Sequence, residues 1–409
     1  LVRLPMMQRL RDLAMGLNTA GFVSGYRGSP LGTLDEALWK AQIQLTQHHV
    51  KFVPGVNEEL AATAVWGTQT TALLGPAKYD GVFAMWYAKG PGVDRCADVF
   101  KHMNHAGTAQ HGGVLLVAGD DHGAYSSTLP HQSDHLFSAC MVPMLYPCNV
   151  QEYLDLGLHA WAMSRFSGCA IGFKALADTV ESTASVDANP FRIQVVLPEH
   201  FPLPPGGLNN RLSVDTLGVQ ARAQEALMQD YKIYAAIAYA RANRLNRTMI
   251  DSPHAKLGII ASGKSYLDVL EALEELGIDE QHAAHIGIRV YKVAMPWPLE
   301  PEGIREFSQG LDEILVVEEK RQVVEYQLKE QLYNWREDVR PRVIGKFDEK
   351  GEWVNARGDW LLSAKADFSV AQIARVIASR IARFHTSVSI QERLQFLQTK
   401  EGQLNKAAN

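Results

Sequence analysis

Short apolar runs alternate with longer segments of helical periodicity over the first 200 residues of the chain. The apolar runs are bounded by Gly, Pro or Asp, as is typical of buried strands, whereas apolar residues that recur every three or four positions indicate amphipathic helices. This alternation predicts βα units around a parallel sheet, and hence an α/β domain. Strands are predicted at 21–26, 81–86, 114–120, 141–147 and 169–176, and helices at 58–74, 92–107 and 150–166.

A similar alternation resumes after an interval of different composition. Residues 197–212 are rich in Pro and Gly, which favours a linker, and residues 218–245 have the composition of one long helix. The pattern then predicts a second α/β unit. Its predicted strands are 256–262, 289–296 and 313–319, and its predicted helix is 266–277.

The chain is therefore expected to contain two α/β domains. Its 409 residues exceed the length of one ordinary domain. Because the chain starts at Leu1 within a helical pattern, we expect it to be a piece of a longer polypeptide. The predicted division is a first domain at 1–200, a linker and long helix at 201–251, a second domain at 252–385 and a polar helical tail at 386–409.

Composition and charge narrow the class of protein. Apolar residues make up 46% of the chain and charged residues 21%, which is ordinary for a globular protein. The net charge of −5 lacks the basic excess of a nucleic-acid-binding protein. No apolar run approaches the roughly 18 residues of a membrane span, and the four cysteines do not have the spacing of zinc or iron–sulfur ligands. We expect a cytoplasmic protein with reduced thiols and no nucleic-acid or membrane partner.

One segment of the second domain matches the P-loop pattern of nucleotide-hydrolysing enzymes. Residues 258–265, GIIASGKS, fit G-x-x-x-x-G-K-[ST], and the predicted strand at 313–319 ends in acids, as a magnesium-holding strand would. However, Ile259 and Ile260 stand where a phosphate-binding loop needs flexible residues. We therefore predict that Gly258 lies inside a strand, and an ATPase function is disfavoured.

An acidic pair at the start of a predicted helix raises a question of function. Asn57, Glu58 and Glu59 follow an apolar run and precede a helix of small apolar residues. Asn57 is a typical helix cap, and acids in the first turn favour the positive end of a helix. Alternatively, one of the two acids has a functional role in an apolar cleft. From these residues alone, the capping interpretation is the stronger one.

The turns that follow the predicted strands carry further candidates. In YRGSPLG, Ser29 could cap a helix or hold an anion, and Arg27 could bind a carboxylate or form a surface ion pair. In KGPGVDR, Gly90 begins a turn that either lines a cleft, with Arg95 directed toward an anion, or only satisfies backbone geometry.

Asp120 follows an apolar strand, at the edge where open α/β sheets bind ligands. The neighbouring His122, His131 and His135 offer a metal site as an alternative. Nothing in their spacing fixes a ligand geometry, so no metal is predicted.

Several stretches taken together resemble a known enzyme family. Residues 24–38, 56–69, 85–107 and 118–127 resemble, in this order, the 2-oxoacid:ferredoxin oxidoreductases, and among these most closely the long single-chain indolepyruvate:ferredoxin oxidoreductases. The segments IIASGKSY, AMPWPLEP and ILVVEEKRQVVEYQLKE resemble the transketolase-carboxy-terminal-like domain of that family. The resemblance implies a pyrimidine-binding α/β domain of a thiamine-diphosphate enzyme, followed by a second, transketolase-C-terminal-like α/β domain.

The resemblance also implies cofactors and partners. The family uses thiamine diphosphate with Mg²⁺, and the chain lacks the usual Gly-Asp-Gly with a downstream Asn; residues 356–362, ARGDWLL, have Gly-Asp without the second Gly. The diphosphate site is therefore expected outside this chain, on a diphosphate-binding domain of the same longer chain or of a partner subunit. For the complete enzyme the family implies [4Fe-4S] clusters, coenzyme A, ferredoxin and a homodimer.

By resemblance, Glu58 is the catalytic carboxylate that hydrogen-bonds N1′ of the cofactor's aminopyrimidine, and Gly90 and Asp120 are expected to contribute to cofactor binding. Ser29, Arg27 and Arg95 are expected to bind the substrate. The implied reaction is oxidative decarboxylation of an aryl 2-oxoacid, such as indolepyruvate, to an acyl-CoA, with electrons passed to ferredoxin. Two alternatives remain: another thiamine enzyme of the pyruvate or transketolase type, and a non-catalytic scaffold subunit.

Overall fold

The computed structural model describes residues 1–210, 217–349 and 360–408. The chain forms two compact units, Leu1–Leu245 and Asn246–Asn409. Gly358 and Asp359, which carry the incomplete Gly-Asp motif, lie outside the described residues. Among the described residues, no helix combines the length and the apolar character that crossing a bilayer requires.

The first unit is built on a six-stranded sheet with the order β2-β1-β3-β4-β6-β5. All of its strand pairs are parallel. Strand β4 is buried at every residue, as expected for a central strand covered on both faces. The strands are β1 (Ala20–Gly25), β2 (Val50–Phe52), β3 (Val82–Lys89), β4 (Val114–Asp120), β5 (Met144–Leu145) and β6 (Ile171–Leu176).

The helices of the first unit include the connections between these strands. The predicted helix at 58–74 is an α-helix that continues as the 3₁₀ turn Thr68–Leu73, and the one at 92–107 is interrupted at Cys96. The helices are α1 (Arg3–Ala14), α2 (Leu34–Lys40), α3 (Gln42–Gln47), α4 (Glu58–Gly67), α5 (Gly90–Arg95), α6 (Ala97–Ala106), α7 (Asp134–Ala139), α8 (Val150–Ser167), α9 (Ala177–Val180), α10 (Leu217–Leu227) and α11 (Ile233–Ala242).

The strand order places a topological switch point between β1 and β3. The chain leaves β1 toward β2 on one side, and β3 lies on the other side of β1. In open α/β sheets, the crevice outside the carboxyl ends of such strands is the usual ligand site. The turns after β1, β3 and β4 therefore meet at one edge of the sheet.

The linker and long helix are predicted at 201–251, whereas the first unit extends to Leu245 and the second begins at Asn246. The predicted long helix is not one regular helix, because the π-helical turn Met228–Lys232 separates α10 from α11. The Nζ atom of the buried Lys232 donates hydrogen bonds of 3.0 Å to the carbonyl oxygens of Asn104 and His105 near the end of α6. A buried cation thus satisfies carbonyl groups that a helix end leaves without an intrahelical partner.

The second unit is built on a five-stranded sheet with the order β11-β10-β8-β9-β7, in which only β7 runs antiparallel to its neighbour. Its helices include α16, which begins with a capping box formed by Ser369 and Gln372. The strands are β7 (Arg247–Ile250), β8 (Leu257–Ser262), β9 (Ile288–Val293), β10 (Glu313–Val317) and β11 (Arg342–Ile344). The helices are α12 (Gly263–Glu275), α13 (Glu280–Ile286), α14 (Pro301–Ser308), α15 (Val324–Leu332), α16 (Val370–Ile381) and α17 (Val388–Ala408).

The segment with the P-loop pattern is not a phosphate-binding loop. Gly258 lies within β8, so that prediction is confirmed; a Cβ atom on it would come within 2.6 Å of Leu311. The Nζ atom of Lys264, at the start of α12, is 2.8 Å from Asp268 and 3.2 Å from Glu319. The lysine that would contact a phosphate is thus paired with two carboxylates.

Candidate functional site

Four segments of the first unit form the candidate site. Three are turns at the carboxyl ends of parallel strands: the turn after β1, the junction of β3 with α5, and residues 121–133 after β4, here named the bridging loop. The fourth is the start of α4, whose first residue is Glu58.

The start of α4 separates the capping residue from the candidate catalytic residue. Asn57 caps the helix, because its Oδ1 atom accepts a 2.8 Å hydrogen bond from the backbone N–H of Leu60. Glu58 is buried, with 6% of its surface exposed, whereas Glu59 is exposed. The indole N–H of Trp86 donates a 2.9 Å hydrogen bond to the carbonyl oxygen of Glu58 and fixes its backbone. Glu58 is therefore held in the interior without serving as the cap.

The Glu58 carboxylate is enclosed by helix α5. A Cβ atom on Gly92 would lie 2.7 Å from Glu58 Cγ and 3.2 Å from Glu58 Oε1, so only a glycine leaves room for the acid. The Nε atom of Arg95 is 4.0 Å from Glu58 Oε2, and the arginine side chain is 59% exposed. Within the part of the chain that the structure describes, no group donates a hydrogen bond to this carboxylate. Because 8% of the Glu58 side chain is exposed, a ligand can reach the acid and supply the donor.

The thiol next to this acid is not a nucleophile. Burial raises the pKa of the Cys96 thiol to about 12, and the charges of Glu58 and Glu59 act in the same direction. A thiol with that pKa stays protonated near neutral pH, and the thiolate is the reactive form.

The turn after β1 brings Ser29 to the same edge of the sheet. Ser29 Oγ is hydrogen-bonded to Ser126 Oγ of the bridging loop. Gly28 packs against the side chain of Lys89 at the end of β3; a Cβ atom on it would lie 2.8 Å from Lys89 Cδ. Arg27 in this turn is exposed. A hydroxyl and cationic side chains thus lie at the edge where the sequence predicts substrate binding, and their roles stay predictions.

The bridging loop is anchored by its own carboxylate. Asp121 Oδ1 accepts a 3.0 Å hydrogen bond from the backbone N–H of Tyr125, and Oδ2 accepts one of 2.8 Å from that of Ser126. Burial alone would raise the pKa of Asp121, but these hydrogen bonds outweigh it and lower that pKa. The ionised Asp121 therefore fixes the position of Ser126, which contacts Ser29.

Asp120 is fully buried, and its oxygens have partners within the protein. Oδ2 accepts a 2.9 Å hydrogen bond from the backbone N–H of Ser133, Oδ1 accepts one of 2.7 Å from Ser133 Oγ, and Oδ1 lies 3.2 Å from His131 Nδ1. Burial alone would raise the pKa of Asp120, but the hydrogen bond from His131 and the charge of Lys174 lower it to about 2. Direct contact with a cofactor would have to displace one of these partners.

His131 connects the bridging loop to helix α5. Its Nε2 atom is 2.9 Å from Oδ2 of Asp94 on α5. Burial alone would lower the pKa of His131, but the hydrogen bonds to Asp120 and Asp94 raise it to about 9. The ring also packs on Gly90, where a Cβ atom would lie 2.0 Å from His131 Nδ1.

Some of these residues and their roles are not predicted from the sequence. His131 was considered only as a metal ligand, and Asp94 and Asp134 were not considered. Lys174 Nζ is 2.6 Å from Asp134 and 3.6 Å from Asp120, and the lysine is 2% exposed. A single charged residue within the apolar run CAIGFKAL was the signal that could have indicated a buried ion cluster. Within the described ranges, no group of three His, Cys, Asp or Glu residues is arranged to hold a metal ion.

Comparison with known proteins identifies relatives of both units. Residues 246–407 match the family described as the indolepyruvate ferredoxin oxidoreductase middle domain. The indolepyruvate oxidoreductase subunit IorA of Methanothermobacter marburgensis is 27% identical over 312 residues, which cover 75% of this chain and 44% of that protein. IorA of Pyrococcus abyssi is 30% identical over 266 residues, 62% of this chain and 37% of that protein. This chain thus spans less than half the length of these relatives.

Two solved structures share the fold. A 2-oxoglutarate:ferredoxin oxidoreductase from Magnetococcus marinus has a TM-score of 0.59 and 14% identity, covering 92% of this chain and 64% of that one. A split-gene transketolase, described as an inactive beta4 tetramer, has a TM-score of 0.53 and 12% identity, covering 94% and 99%. The expected fold class, two α/β domains with the folds found in thiamine enzymes of the oxidoreductase and transketolase types, is confirmed, and binding of a pyrimidine stays a prediction. The resemblance to the 2-oxoacid:ferredoxin oxidoreductase family, with the indolepyruvate oxidoreductases as its relatives, is confirmed as well.

Proposed function

We propose that this chain supplies the pyrimidine-binding part of a thiamine-diphosphate-dependent 2-oxoacid oxidoreductase, with Glu58 as its acid–base residue. The observation that carries the proposal is the buried Glu58 carboxylate, which receives no hydrogen bond from the described residues and is enclosed by α5 at Gly92. This arrangement fits an aminopyrimidine, because a nitrogen-bound proton would supply the donor that the carboxylate lacks.

The cofactor, when bound, supplies a nucleophilic carbon and an electron sink for decarboxylation. The chain's own contribution is a carboxylate oxygen that accepts or releases a proton at a fixed position. Trp86 holds the backbone of Glu58 through a hydrogen bond to its carbonyl oxygen, and Asn57 caps the helix that Glu58 begins. A general acid–base residue placed in this way contributes about a hundredfold to ten-thousandfold in rate.

The substrate class follows from the charges at the sheet edge and from the relatives. Ser29, Arg27 and Arg95 offer a hydroxyl and two cationic groups to the carboxylate of a 2-oxoacid. The relatives carry the name indolepyruvate oxidoreductase, so we assign an aryl 2-oxoacid as the substrate. The aromatic ring of Trp86 gives no support to an aryl substrate, because it is buried in the core against Phe100 and not available for contact with a ligand.

The complete enzyme requires parts beyond this chain. We assign to it a diphosphate-binding domain with Mg²⁺, [4Fe-4S] clusters, coenzyme A as the acyl acceptor and ferredoxin as the electron acceptor, in a cytoplasmic homodimer. Support comes from the family resemblance and from relatives that are more than twice the length of the matched segments.

The decisive experiment is Glu58→Gln in the complete enzyme, assayed with indolepyruvate, coenzyme A and a viologen acceptor. Turnover is expected to fall at least about a hundredfold, because the amide cannot act as an acid or base. Glu59→Gln is the matched control and should leave turnover within about twofold, since Glu59 is exposed. Unchanged turnover in Glu58→Gln would indicate a scaffold subunit with an unused cleft.

A substrate screen separates the aryl assignment from the other thiamine enzymes. Indolepyruvate and phenylpyruvate should reduce the viologen faster than pyruvate in the same assay. If pyruvate alone reduces it, the aryl assignment is wrong and Glu58 keeps its role.

A further inference from the structure

The bridging loop is attached to two different segments of the candidate site. Through Ser126 it contacts Ser29, in the turn after β1. Through His131 it contacts Asp94 and Gly90, on helix α5. These attachments connect the turn expected to bind substrate with the helix that encloses Glu58.

The two ring nitrogens of His131 face carboxylates on two different elements. Nδ1 faces Asp120 at the end of β4, and Nε2 faces Asp94 on α5. A neutral imidazole has only one N–H, so both hydrogen bonds can be donated only by the imidazolium. The ring therefore acts as a charged link between the rigid end of a central strand and a helix of six residues.

Contact with Gly90 limits the movement of α5 in the other direction. A Cβ atom on Gly90 would lie 2.0 Å from His131 Nδ1, so the start of the helix lies directly against the ring. Helix α5 therefore has little freedom to shift, because Asp94 is hydrogen-bonded to the ring and Gly90 is in contact with it. Gly92 and Arg95, which border the Glu58 carboxylate, lie on this same helix.

We propose that His131 is a positioning residue, which holds α5 through Asp94 and Gly90 so that Gly92 and Arg95 stay in place against Glu58. The inference rests on the proposed function of Glu58. It differs from a structural role alone because a shift of about 1 Å at a reacting group can change turnover by about a hundredfold.

Charged groups around the ring determine its pH dependence. Asp94 faces it from α5 and Asp120 from β4, while Lys174 on β6 lies behind Asp120 and is paired with Asp134. The charge of His122, in the bridging loop, also lowers the pKa of Asp120. The two carboxylates adjacent to the ring keep the imidazolium charged at neutral pH, so the link should fail only in the alkaline range.

The first test uses His131→Gln in the complete enzyme. The amide can replace one hydrogen bond but not both, and it does not titrate. We expect kcat to fall by about tenfold, with the KM for the 2-oxoacid changed by less than about twofold. The wild-type enzyme should lose activity as the pH rises through about 9, and this alkaline limb should be absent from the variant. His102→Gln, on the exposed face of α6, is the control and should match wild type.

A second readout does not depend on activity. In the complete enzyme without substrate, His131→Gln should speed hydrogen–deuterium exchange in residues 90–95 about tenfold and leave residues 150–167 unchanged. Asp94→Asn should act in the same direction, and it tests the link if His131→Gln does not fold.

A Glu58→Gln background distinguishes this inference from the proposed function. If His131 acts through Glu58, His131→Gln should have little further effect on turnover in that background. If Glu58→Gln abolishes turnover while His131→Gln leaves kcat, the alkaline limb and exchange unchanged, the positioning role is wrong and the proposed function stands. A third outcome is that hydrogen–deuterium exchange in residues 90–95 rises in His131→Gln while Glu58→Gln leaves turnover unchanged. In that case both the proposed function and the catalytic part of this inference fail.

Discussion

Gly92 and Glu58 are in such close contact that a methyl group on the glycine would lie 2.7 Å from the Cγ atom of the glutamate. Carbon atoms in proteins normally pack at about 3.5–4.0 Å, so the methyl group and the acid cannot both keep these positions. Gly92 has no positive φ angle, and alanine would therefore suit the backbone of α5. The same methyl group would also lie 2.7 Å from the Cβ atom of Ala88 in β3, so a substitution is expected to disturb both the Glu58 side chain and the packing of α5 against β3.

Gly92→Ala should therefore lower both activity and stability. We expect turnover in the complete enzyme to fall at least about tenfold because Glu58 is displaced, with a loss of stability of about 1–3 kcal/mol because the methyl group overpacks the contact with Ala88. Gly67→Ala is the matched control: it lies at the end of α4, and no described atom lies within 4 Å of its Cβ position. Equal turnover in the two variants would contradict the assigned position of the acid.

Asp12 and Arg165 should dominate the attachment of α1 to the first unit. Asp12 is fully buried, and its oxygens lie 2.7 and 2.8 Å from the two terminal nitrogens of Arg165. Removing one partner of a buried pair leaves an uncompensated charge, so Asp12→Ala should lower the free energy of unfolding by about 3–5 kcal/mol. Asp98→Ala, which removes an exposed partner of His102, should change it by less than about 1 kcal/mol. Thermal unfolding of both variants checks the difference.

His159 should make the first unit sensitive to acid. Burial and the charge of Arg11 lower the pKa of His159 to about 4, and its Nδ1 atom is hydrogen-bonded to Tyr239 Oη at 3.0 Å. The histidine of the unfolded chain, with a pKa near 6.5, takes up a proton first. The contribution of the neutral His159 to the free energy of unfolding is therefore complete above about pH 6.5, and it is lost as the pH falls toward about 4.

At pH 5 this linkage should cost about 2 kcal/mol relative to neutral pH. In His159→Gln, which cannot titrate, the same fall in pH should produce a smaller loss. Urea unfolding of both proteins at pH 7 and pH 5 measures the difference. A loss of the same size in the variant would mean that other groups account for the acid sensitivity.

Lys264 should be a structural residue and not a phosphate ligand. It is paired with the buried carboxylate of Glu319 and with Asp268. Lys264→Met should lower the stability of the second unit by about 3 kcal/mol. Lys256→Met, which breaks an exposed pair with Asp312, should cost less than about 1 kcal/mol. Calorimetric titration with Mg-ATP should show no binding, and micromolar binding would restore the P-loop interpretation.

The long elements of the fold could be predicted from the sequence because their signals are strong. The strand at 114–120 was predicted at its observed bounds, and α8 within one residue at each end. The strand predicted at 141–147 contains only Met144–Leu145, since a run of apolar residues can also be buried without pairing. Strand β2 was missed because it has three residues, one of them the exposed Lys51, and its pairing with β1 is a tertiary effect.

The candidate site was less accessible to sequence reasoning than the fold. Glu58 was indicated by its flanking motifs, and Gly90 by its turn. The contacts of His131 with Asp94 and Asp120 join residues 37 and 11 positions apart, and no periodic pattern marks such pairs. Their association depends on parallel strands whose turns meet at one edge, which only the topology specifies.

The π-helical turn at Met228–Lys232 sets the rotational phase between the two helices that flank it. Each residue of an α-helix turns the chain by about 100° and advances it by 1.5 Å. Losing a single residue between Met228 and Lys232 would rotate these two side chains relative to each other by more than a quarter turn. Either the lysine would leave the carbonyl oxygens at the end of α6, or Met228 would leave the side chain of Asn104. This short stretch should therefore tolerate changes of side chain far better than changes of length.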